Sequence, residues 1–236
     1  LFGGYTFRYQ KFLSNFNSGM SPLDRVKLYL ECHERDWVLD QNELFGTKAN
    51  FSWDKIYAKI IPYFDNSLSP IDQVFLADIN GKLLYNWIPL NSSFHKFFNL
   101  KPITPILSKE LMQYAPHLKN SIKYNQKTNI GKLPLREILS EHISPDLITP
   151  NKQGFSVNTI NLWNSFGKEI CHHYLDNARI VKDKWINEDW IKKHLKRIDE
   201  KMDVRYVNKF LGLLAFEIWY RIFITKEMNP ETKLSI

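Results

Sequence analysis

Two cationic side chains have a spacing that suits an anion-binding site. Lys132 and Arg136 are four residues apart, in a segment whose apolar spacing predicts a helix over 133–142. Positions i and i+4 share one helix face, so both charges can point at the same phosphate or carboxylate. The structural alternative is that one of them pairs with Glu137 or Glu141 on the surface, an arrangement that contributes little to stability.

The histidines carry no comparable pattern for a metal. His172 and His173 are adjacent, and adjacent positions on a helix point about 100° apart. Asp176 lies four residues after His172, but neither His173 nor His194 has an acidic or thiol group at i+4, so the pattern does not make up a typical zinc ligand set. We therefore predict no metal site there and interpret these residues as solvated helix faces.

Aromatic and basic residues alternate near the carboxyl end, a mixture that also occurs in proteins that bind single-stranded nucleic acid. Tryptophans in such segments more often pack helices against one another. No block of five Lys or Arg residues appears anywhere in the chain. The sequence therefore argues against nucleic acid as a partner. The residues concerned are Trp185, Trp190, Lys192, Lys193, Lys196, Arg197, Tyr206, Trp219 and Tyr220.

Composition indicates a folded protein with a positive surface. The chain has 236 residues, 44% of them hydrophobic and 24% charged, enough to bury one sizeable core or two modest ones. Its net charge of +7 favours anionic partners such as nucleotides, nucleic acid or acidic lipid headgroups.

The sequence predicts a cytoplasmic protein with no membrane partner. Cys32 and Cys171 are far apart and have no CxxC neighbour, which fits a reducing compartment best. The most apolar stretch, 210–224, is interrupted by Glu217 and Arg221 and is shorter than the about 20 residues that a spanning helix needs. Because the chain starts at Leu1, without Met, we expect it to be a piece of a longer protein.

Apolar spacing, helix-start residues and prolines predict an irregular, mainly α bundle with no strand longer than four residues. Segments 40–50 and 150–155 are predicted loops, and 119–130 is predicted to be exposed polar chain. One helical part is expected over 1–228, followed by a frayed tail over 229–236. The predicted helices cover 8–16, 22–36, 53–64, 69–87, 108–114, 133–142, 159–175, 188–200 and 205–224.

Three stretches, in the right order, resemble the asparagine synthetase family. The first is Leu1-Phe2-Gly3-Gly4-Tyr5, which looks like the end of the family's acidic Gly-x-Gly-x-Asp-Glu-x-Phe-Gly-Gly-Tyr motif. The second runs from Gly131-Lys132-Leu133-Pro134-Leu135-Arg136 to Asn151-Lys152-Gln153-Gly154-Phe155 and Trp163. The third is 213–221, similar to the family's closing helix. Together with the intervening helices they cover most of the chain.

The resemblance implies ATP-dependent amide formation. Enzymes of this family activate a carboxylate as an acyl-adenylate, release pyrophosphate and let ammonia attack the acyl carbon. Lys152 is then the predicted catalytic residue, because an ammonium group near the departing pyrophosphate stabilises the transition state. On the residues alone, an ordinary solvated loop lysine is the simpler interpretation.

The remaining site residues follow from the same resemblance. Lys132 and Arg136 are predicted to bind ATP or pyrophosphate, and Gly154 lets backbone approach a phosphate closely. Gly3 and Gly4 are predicted to shape the nucleotide site by permitting a tight turn. Tyr5 is predicted to line the acyl pocket, with a structural role as the alternative; the expected cofactors are ATP and Mg.

Two motifs of the asparagine synthetase family are absent from this sequence. No phosphate-binding Ser-Gly-Gly-x-Asp-Ser loop and no N-terminal catalytic cysteine of a glutaminase domain are present. The resemblance therefore implies the C-terminal helical half of a PP-loop synthetase domain, inactive as this fragment. Its expected partners are an upstream PP-loop half, which would hold most of the ATP and Mg ligands, and a glutaminase domain. The oligomeric state, including a homodimer, is left open.

One internal departure bears on the substrate. On the best alignment, a family glutamate becomes Lys101 and a family aspartate becomes Ser108, which changes the local electrostatics. Aspartate remains the default acid, with asparagine as product. The alternatives are a related amidotransferase or a lactam- or peptide-ring-forming cyclase acting on another acid, or a basic helical interaction module without catalysis.

Overall fold

The computed structural model describes residues 1–33, 37–38, 40–144, 147–148 and 158–234. The chain divides into two compact units. Unit 1 comprises Leu1–Cys32 and Asp54–Lys152, and unit 2 comprises His33–Trp53 and Gln153–Ile236.

Unit 1 is built mainly from helices whose starts follow local capping rules. Ser21 and Asp24 form a reciprocal capping box at the start of α2. Ser69 accepts a hydrogen bond from the Asp72 backbone at the start of α5, where Pro70 occupies the first turn. The α-helices of this unit are α1 (Thr6–Asn15), α2 (Pro22–Glu31), α4 (Trp53–Ile60, which begins at the unit boundary), α5 (Pro70–Ala77), α6 (Ile88–Phe97), α7 (Lys109–Tyr114), α8 (Asn120–Lys123) and α9 (Leu133–Ser140).

Wider and tighter helical turns connect these elements. A π-helix, Asp78–Trp87, joins α5 to α6, and single 3₁₀ turns occupy Ile61–Tyr63, Pro105–Leu107 and Ala115–His117. Two short strands, β1 (Tyr124–Asn125) and β2 (Ile130–Gly131), form an antiparallel hairpin. The unit 1 core joins α1, α2, α5 and β1 through Tyr9, Phe12, Val26, Tyr29, Phe64, Val74, Phe75 and Tyr124.

Unit 2 packs around one long helix. Helix α14 contacts α10, α11, α12 and α13, and its buried side chains share a core with Trp163, Cys171, Ile180 and Trp190. The elements of this unit are α3 (Gln41–Leu44), a 3₁₀ turn (Thr47–Ala49), α10 (Thr159–Leu162), a π-helical turn (Trp163–Gly167), α11 (Lys168–Leu175), α12 (Arg179–Lys182), α13 (Glu188–Glu200) and α14 (Val204–Phe223).

Glu217, on α14, is a buried carboxylate with a structural task. Its side chain is fully enclosed and accepts hydrogen bonds from the backbone N–H groups of Arg179 and Ile180, at 2.7 and 3.0 Å. Arg221, one turn later, pairs with the same carboxylate. Glu217 therefore satisfies the unpaired N–H groups at the start of α12 and fastens that helix to α14.

The mainly α prediction is confirmed, and the two strands of the described residues are each only two residues long. Helix α13 has the predicted bounds, because Asn187 caps it and its apolar positions recur at helical spacing. No helix among the residues the structure describes has both the length and the apolarity that crossing a membrane requires.

Three local predictions were wrong. The helix predicted over 69–87 does not end at Trp87 but continues into α6, and Pro89 falls where the wider turns of the π-helix meet α6. The predicted loop 40–50 contains α3 and a 3₁₀ turn, which are too short to show a period. Segment 119–130 is not simply exposed, since Lys123 is buried and its ammonium group lies 3.3 Å from the Ala115 carbonyl and 4.8 Å from the Phe75 ring centre.

We predict that Glu217→Ala destabilises the protein strongly. The change leaves Arg221 without its buried partner and two helix-start N–H groups without an acceptor, a loss of about 3–5 kcal/mol in the free energy of unfolding. Glu169→Ala is the matched control, since that carboxylate is exposed on α11 and its loss costs within about 0.5 kcal/mol. Urea unfolding followed by circular dichroism measures both, and equal costs would contradict the role given to Glu217.

Candidate active site

Unit 1 contains a cavity of about 270 Å³. Four of the residues predicted from sequence line it together: Gly3, Gly4, Tyr5 and Lys132. Lys132 is far from the other three in the chain, so the fold brings the first and second family-like stretches to one place. The other lining residues are Leu1, Phe2, Tyr9, Phe75, Asp78, Ile79, Leu83, Ile106, Leu107 and Leu135.

Close backbone contact between the two stretches forms one wall of the cavity. The Lys132 N–H donates to the Phe2 carbonyl at 2.9 Å. A Cβ atom added to Gly131 would lie 1.8 Å from the Gly3 carbonyl oxygen, so a side chain has no room there. Gly3 itself has a φ of 71°, the left-handed region that glycine adopts without steric cost. Glycine at 3 and 131 is therefore required by geometry.

Lys132 is held in an unusual backbone conformation. Its φ is 60°, which costs a non-glycine residue on the order of 1 kcal/mol or more. The residue stands just before the first turn of α9, and its side-chain stem passes Gly4 so closely that a Cβ on Gly4 would lie 2.9 Å from Lys132 Cε. The surrounding fold thus fixes this lysine against the glycine pair, in the wall of the cavity.

Asp78, which the sequence analysis missed, is the buried carboxylate of the cavity. It begins the π-helix, and its Oδ1 accepts hydrogen bonds from Arg8 and from the Tyr29 hydroxyl, the latter at 2.9 Å. Burial raises the pKa of Asp78, and the Arg8 guanidinium opposes that rise. A single aspartate at the end of an apolar helix gives no sequence signal, since its partners come from α1 and α2.

Tyr5 sits between the cavity and a group of charges. The Arg8 guanidinium carbon lies 4.7 Å from its ring centre, and the Lys82 ammonium lies 4.9 Å from it. Burial raises the pKa of Tyr5, and the Asp78 charge adds to this rise. The Tyr5 hydroxyl therefore stays protonated at neutral pH and can donate a hydrogen bond.

Arg136 occupies a different position from Lys132. Its Nε donates to the Gly131 carbonyl at 3.0 Å, and the residue is not among those that line the cavity. This bond supports the tight segment before α9. A direct contact between Arg136 and a phosphate stays a prediction, as do the roles of Lys152 and Gly154, which lie outside the described residues.

The prediction that His194 lies on a solvated helix face was wrong. His194 is fully buried on α13, with ring centres of Trp190 and Tyr206 each 4.5 Å from its own, and its Nε2 lies 2.6 Å from Asp40 Oδ2. Burial lowers the pKa of His194. Within the part of the chain that is described, no group of three His, Cys, Asp or Glu side chains is placed to hold a metal ion.

The segment that departs from the family pattern reaches the same cavity. Ile106 and Leu107 line it, and Ser108 accepts a hydrogen bond from the Leu111 N–H at 3.3 Å as the cap of α7. Lys101 is exposed. Ser108 therefore has a local structural role of the kind that capping serines commonly have.

These features belong to a mainly helical protein in which a glycine pair and a lysine share a cavity wall. The family model described as asparagine synthase matches residues 1–221. The chain therefore belongs to the asparagine synthase family, whose domain is that of an ATP-dependent ligase. Searches of curated proteins and of solved structures found no match to this chain.

We predict that Gly131→Ala lowers stability by about 1–3 kcal/mol, because the added methyl group collides with the Gly3 backbone. Gly81→Ala is the control: no atom of the surrounding described residues lies within 4 Å of its added Cβ, so it is expected to be neutral or to stabilise by about 0.4–1 kcal/mol. Urea denaturation compares the two. If Gly131→Ala is as stable as Gly81→Ala, the close approach of the two stretches is not required.

Proposed function

We propose that this chain is the helical part of an enzyme that activates a small carboxylic acid with ATP as an acyl-adenylate and converts it to an amide. Aspartate is the default acid, ammonia or glutamine the nitrogen source, and asparagine the product. The observation that carries the proposal is the cavity wall that joins Gly3, Gly4 and Lys132, in a chain whose family match extends over 1–221.

The proposed reaction has two steps, formation of the acyl-adenylate and formation of the amide. A carboxylate oxygen of the acid attacks the α-phosphorus of ATP, the bond from that phosphorus to the bridging oxygen breaks, and pyrophosphate leaves. Ammonia then adds to the acyl carbon, and the amide forms as AMP departs with the bonding electron pair and the nitrogen loses a proton. Negative charge grows on the pyrophosphate in the first step, so cations placed there stabilise the transition state more than the bound substrates.

Each predicted residue has one role in this scheme. Lys152 stabilises the departing pyrophosphate, Lys132 and Arg136 attract the phosphates, and Gly154 permits close approach of the backbone. Gly3 and Gly4 form the cavity wall. Tyr5 lines the acyl pocket.

The geometry of Lys132 supports its part in this scheme. Lys132 belongs to the cavity wall, and its strained backbone is typical of positions held for function. ATP is proposed to bind as its magnesium complex. Among the described residues, no group of three or more His, Cys, Asp or Glu side chains is placed to hold the metal ion.

A relative acting on an acid other than aspartate is the second candidate. Lys101 and Ser108 favour it, because the acidic pair expected at these positions is replaced and Ser108 is engaged in capping α7. Pyrophosphate release that depends on ATP distinguishes the two candidates: release with aspartate supports asparagine synthesis, and release only with other acids supports the relative. If the catalytically complete protein releases no pyrophosphate with any acid, the third alternative, a basic interaction module without catalysis, is supported instead.

We predict that Lys152→Ala slows pyrophosphate release by roughly 10²-fold or more, because the leaving group loses its charge stabilisation. Lys127→Ala is the control, since Lys127 is exposed in the turn between β1 and β2 and its removal is expected to leave the rate unchanged. Both variants are measured in the catalytically complete protein, with saturating ATP, acid and ammonia. A Lys152→Ala rate equal to the wild-type rate would remove Lys152 from the mechanism.

A further inference from the structure

The buried carboxylate of Asp78 is only half satisfied. Its Oδ1 accepts from Arg8 and from the Tyr29 hydroxyl, whereas its Oδ2 is buried and has no hydrogen-bond partner among the residues that the structure describes. The residue is 6% exposed. A buried carboxylate oxygen without a donor is costly in a folded protein, and this one belongs to a side chain in the wall of the cavity.

The cavity itself suits a small polar molecule. At about 270 Å³ it lies near the lower end of the range for small-molecule sites, roughly 300–1,000 Å³. Its lining combines apolar side chains with two charged ones, Asp78 and Lys132. A few polar groups in a largely apolar wall are typical of a site that fixes the orientation of its ligand.

Local charge decides which ligand fits. Arg8 already neutralises Asp78, and Lys132 adds a positive charge to the wall, so a simple cation is disfavoured. A carboxylate on the ligand is attracted by Lys132. The Asp78 oxygen that has no donor calls in addition for an O–H or N–H group on the same molecule.

We propose that this cavity binds a small carboxylic acid carrying a hydroxyl or amino group, and that Asp78 Oδ2 accepts a hydrogen bond from that group. Asp78 is thus a specificity-determining residue: it selects acids with a donor over acids of the same shape without one. The inference rests on the proposed function, since the bound acid is the one that ATP activates. Lys132 then stands where the acid's carboxylate meets the nucleotide.

The raised pKa of Asp78 agrees with this role, because desolvation is its largest cause. A donor that bonds to Oδ2 replaces part of the lost hydration and favours the ionised carboxylate. The alternative occupant is an ordered water molecule bonded to Oδ2. Water would satisfy the oxygen but would give no preference among acids.

Three four-carbon diacids test the inference on the 236-residue chain without ATP. Succinate has no donor, L-malate has a hydroxyl at the second carbon, and L-aspartate has an amino group there. Dissociation constants are obtained by titration calorimetry, and the amide signals of Gly3 and Ile79 report in NMR spectra whether the acids bind in the cavity. L-Malate or L-aspartate is expected to bind at least about tenfold more tightly than succinate, the effect of one hydrogen bond to a charged group.

Asp78→Asn supplies the matched variant. In this variant Arg8 and Tyr29 can still donate to the amide oxygen of Asn, and the amide NH₂ group then takes the place of Oδ2. The preference over succinate is expected to fall to within about threefold. Asp65→Asn, which removes the same charge from an exposed position, is expected to keep the full preference.

The outcomes are separable. The inference is overturned if all three diacids bind equally, or if none of them shifts the amide signals of Gly3 and Ile79. It is also overturned if a folded Asp78→Asn variant keeps the full preference over succinate. If that variant does not fold, as circular dichroism will show, the wild-type comparison still decides. Pyrophosphate release tests the proposed function separately, so release without a donor preference would leave that function standing and reject only the role of Asp78.

Discussion

The contact between two pieces of backbone is the constraint on which the candidate site depends. Gly131 lies so near the Gly3 carbonyl that no side chain fits between them, and the Lys132 N–H completes the join by donating to Phe2. This contact turns two distant stretches into one wall. It also forces Lys132 into a left-handed conformation, which places its stem against Gly4. Without that approach the cavity would lose its lysine and its glycine pair together.

The family-like stretches divide into those that build the site and one that supports the fold. The first stretch, and the second as far as Leu135, meet at the cavity. The closing stretch lies instead on α14, where the Glu217 carboxylate caps α12 and pairs with Arg221. A sequence likeness of this kind therefore reflects folding as well as chemistry. It explains why the likeness covers both units although the cavity lies in unit 1.

Sequence predicted the elements that local chemistry determines. Helix α2 begins at a capping box of Ser21 and Asp24, and α13 begins after the capping residue Asn187. Helix α5 begins after Ser69, with Pro70 in its first turn. Elements shorter than two turns, such as α3, show no period to detect. In the site, Lys132 could be found from its spacing and its resemblance to the family.

Asp78 and Lys123 could not be found in this way. Hydrogen bonds from other parts of unit 1 offset the cost of burying these two charged groups. Arg8 on α1 and Tyr29 on α2 donate to Asp78, and backbone carbonyls accept from Lys123. The central claim is that the wall of Gly3, Gly4 and Lys132 receives the phosphate end of the nucleotide. An NMR titration of the chain with inorganic pyrophosphate tests it most directly. The account predicts that the amide signals of Gly3, Gly4 and Lys132 move together with one dissociation constant while that of Gly212 on α14 stays fixed; absent shifts, or shifts confined to the lysines of α13, would contradict it.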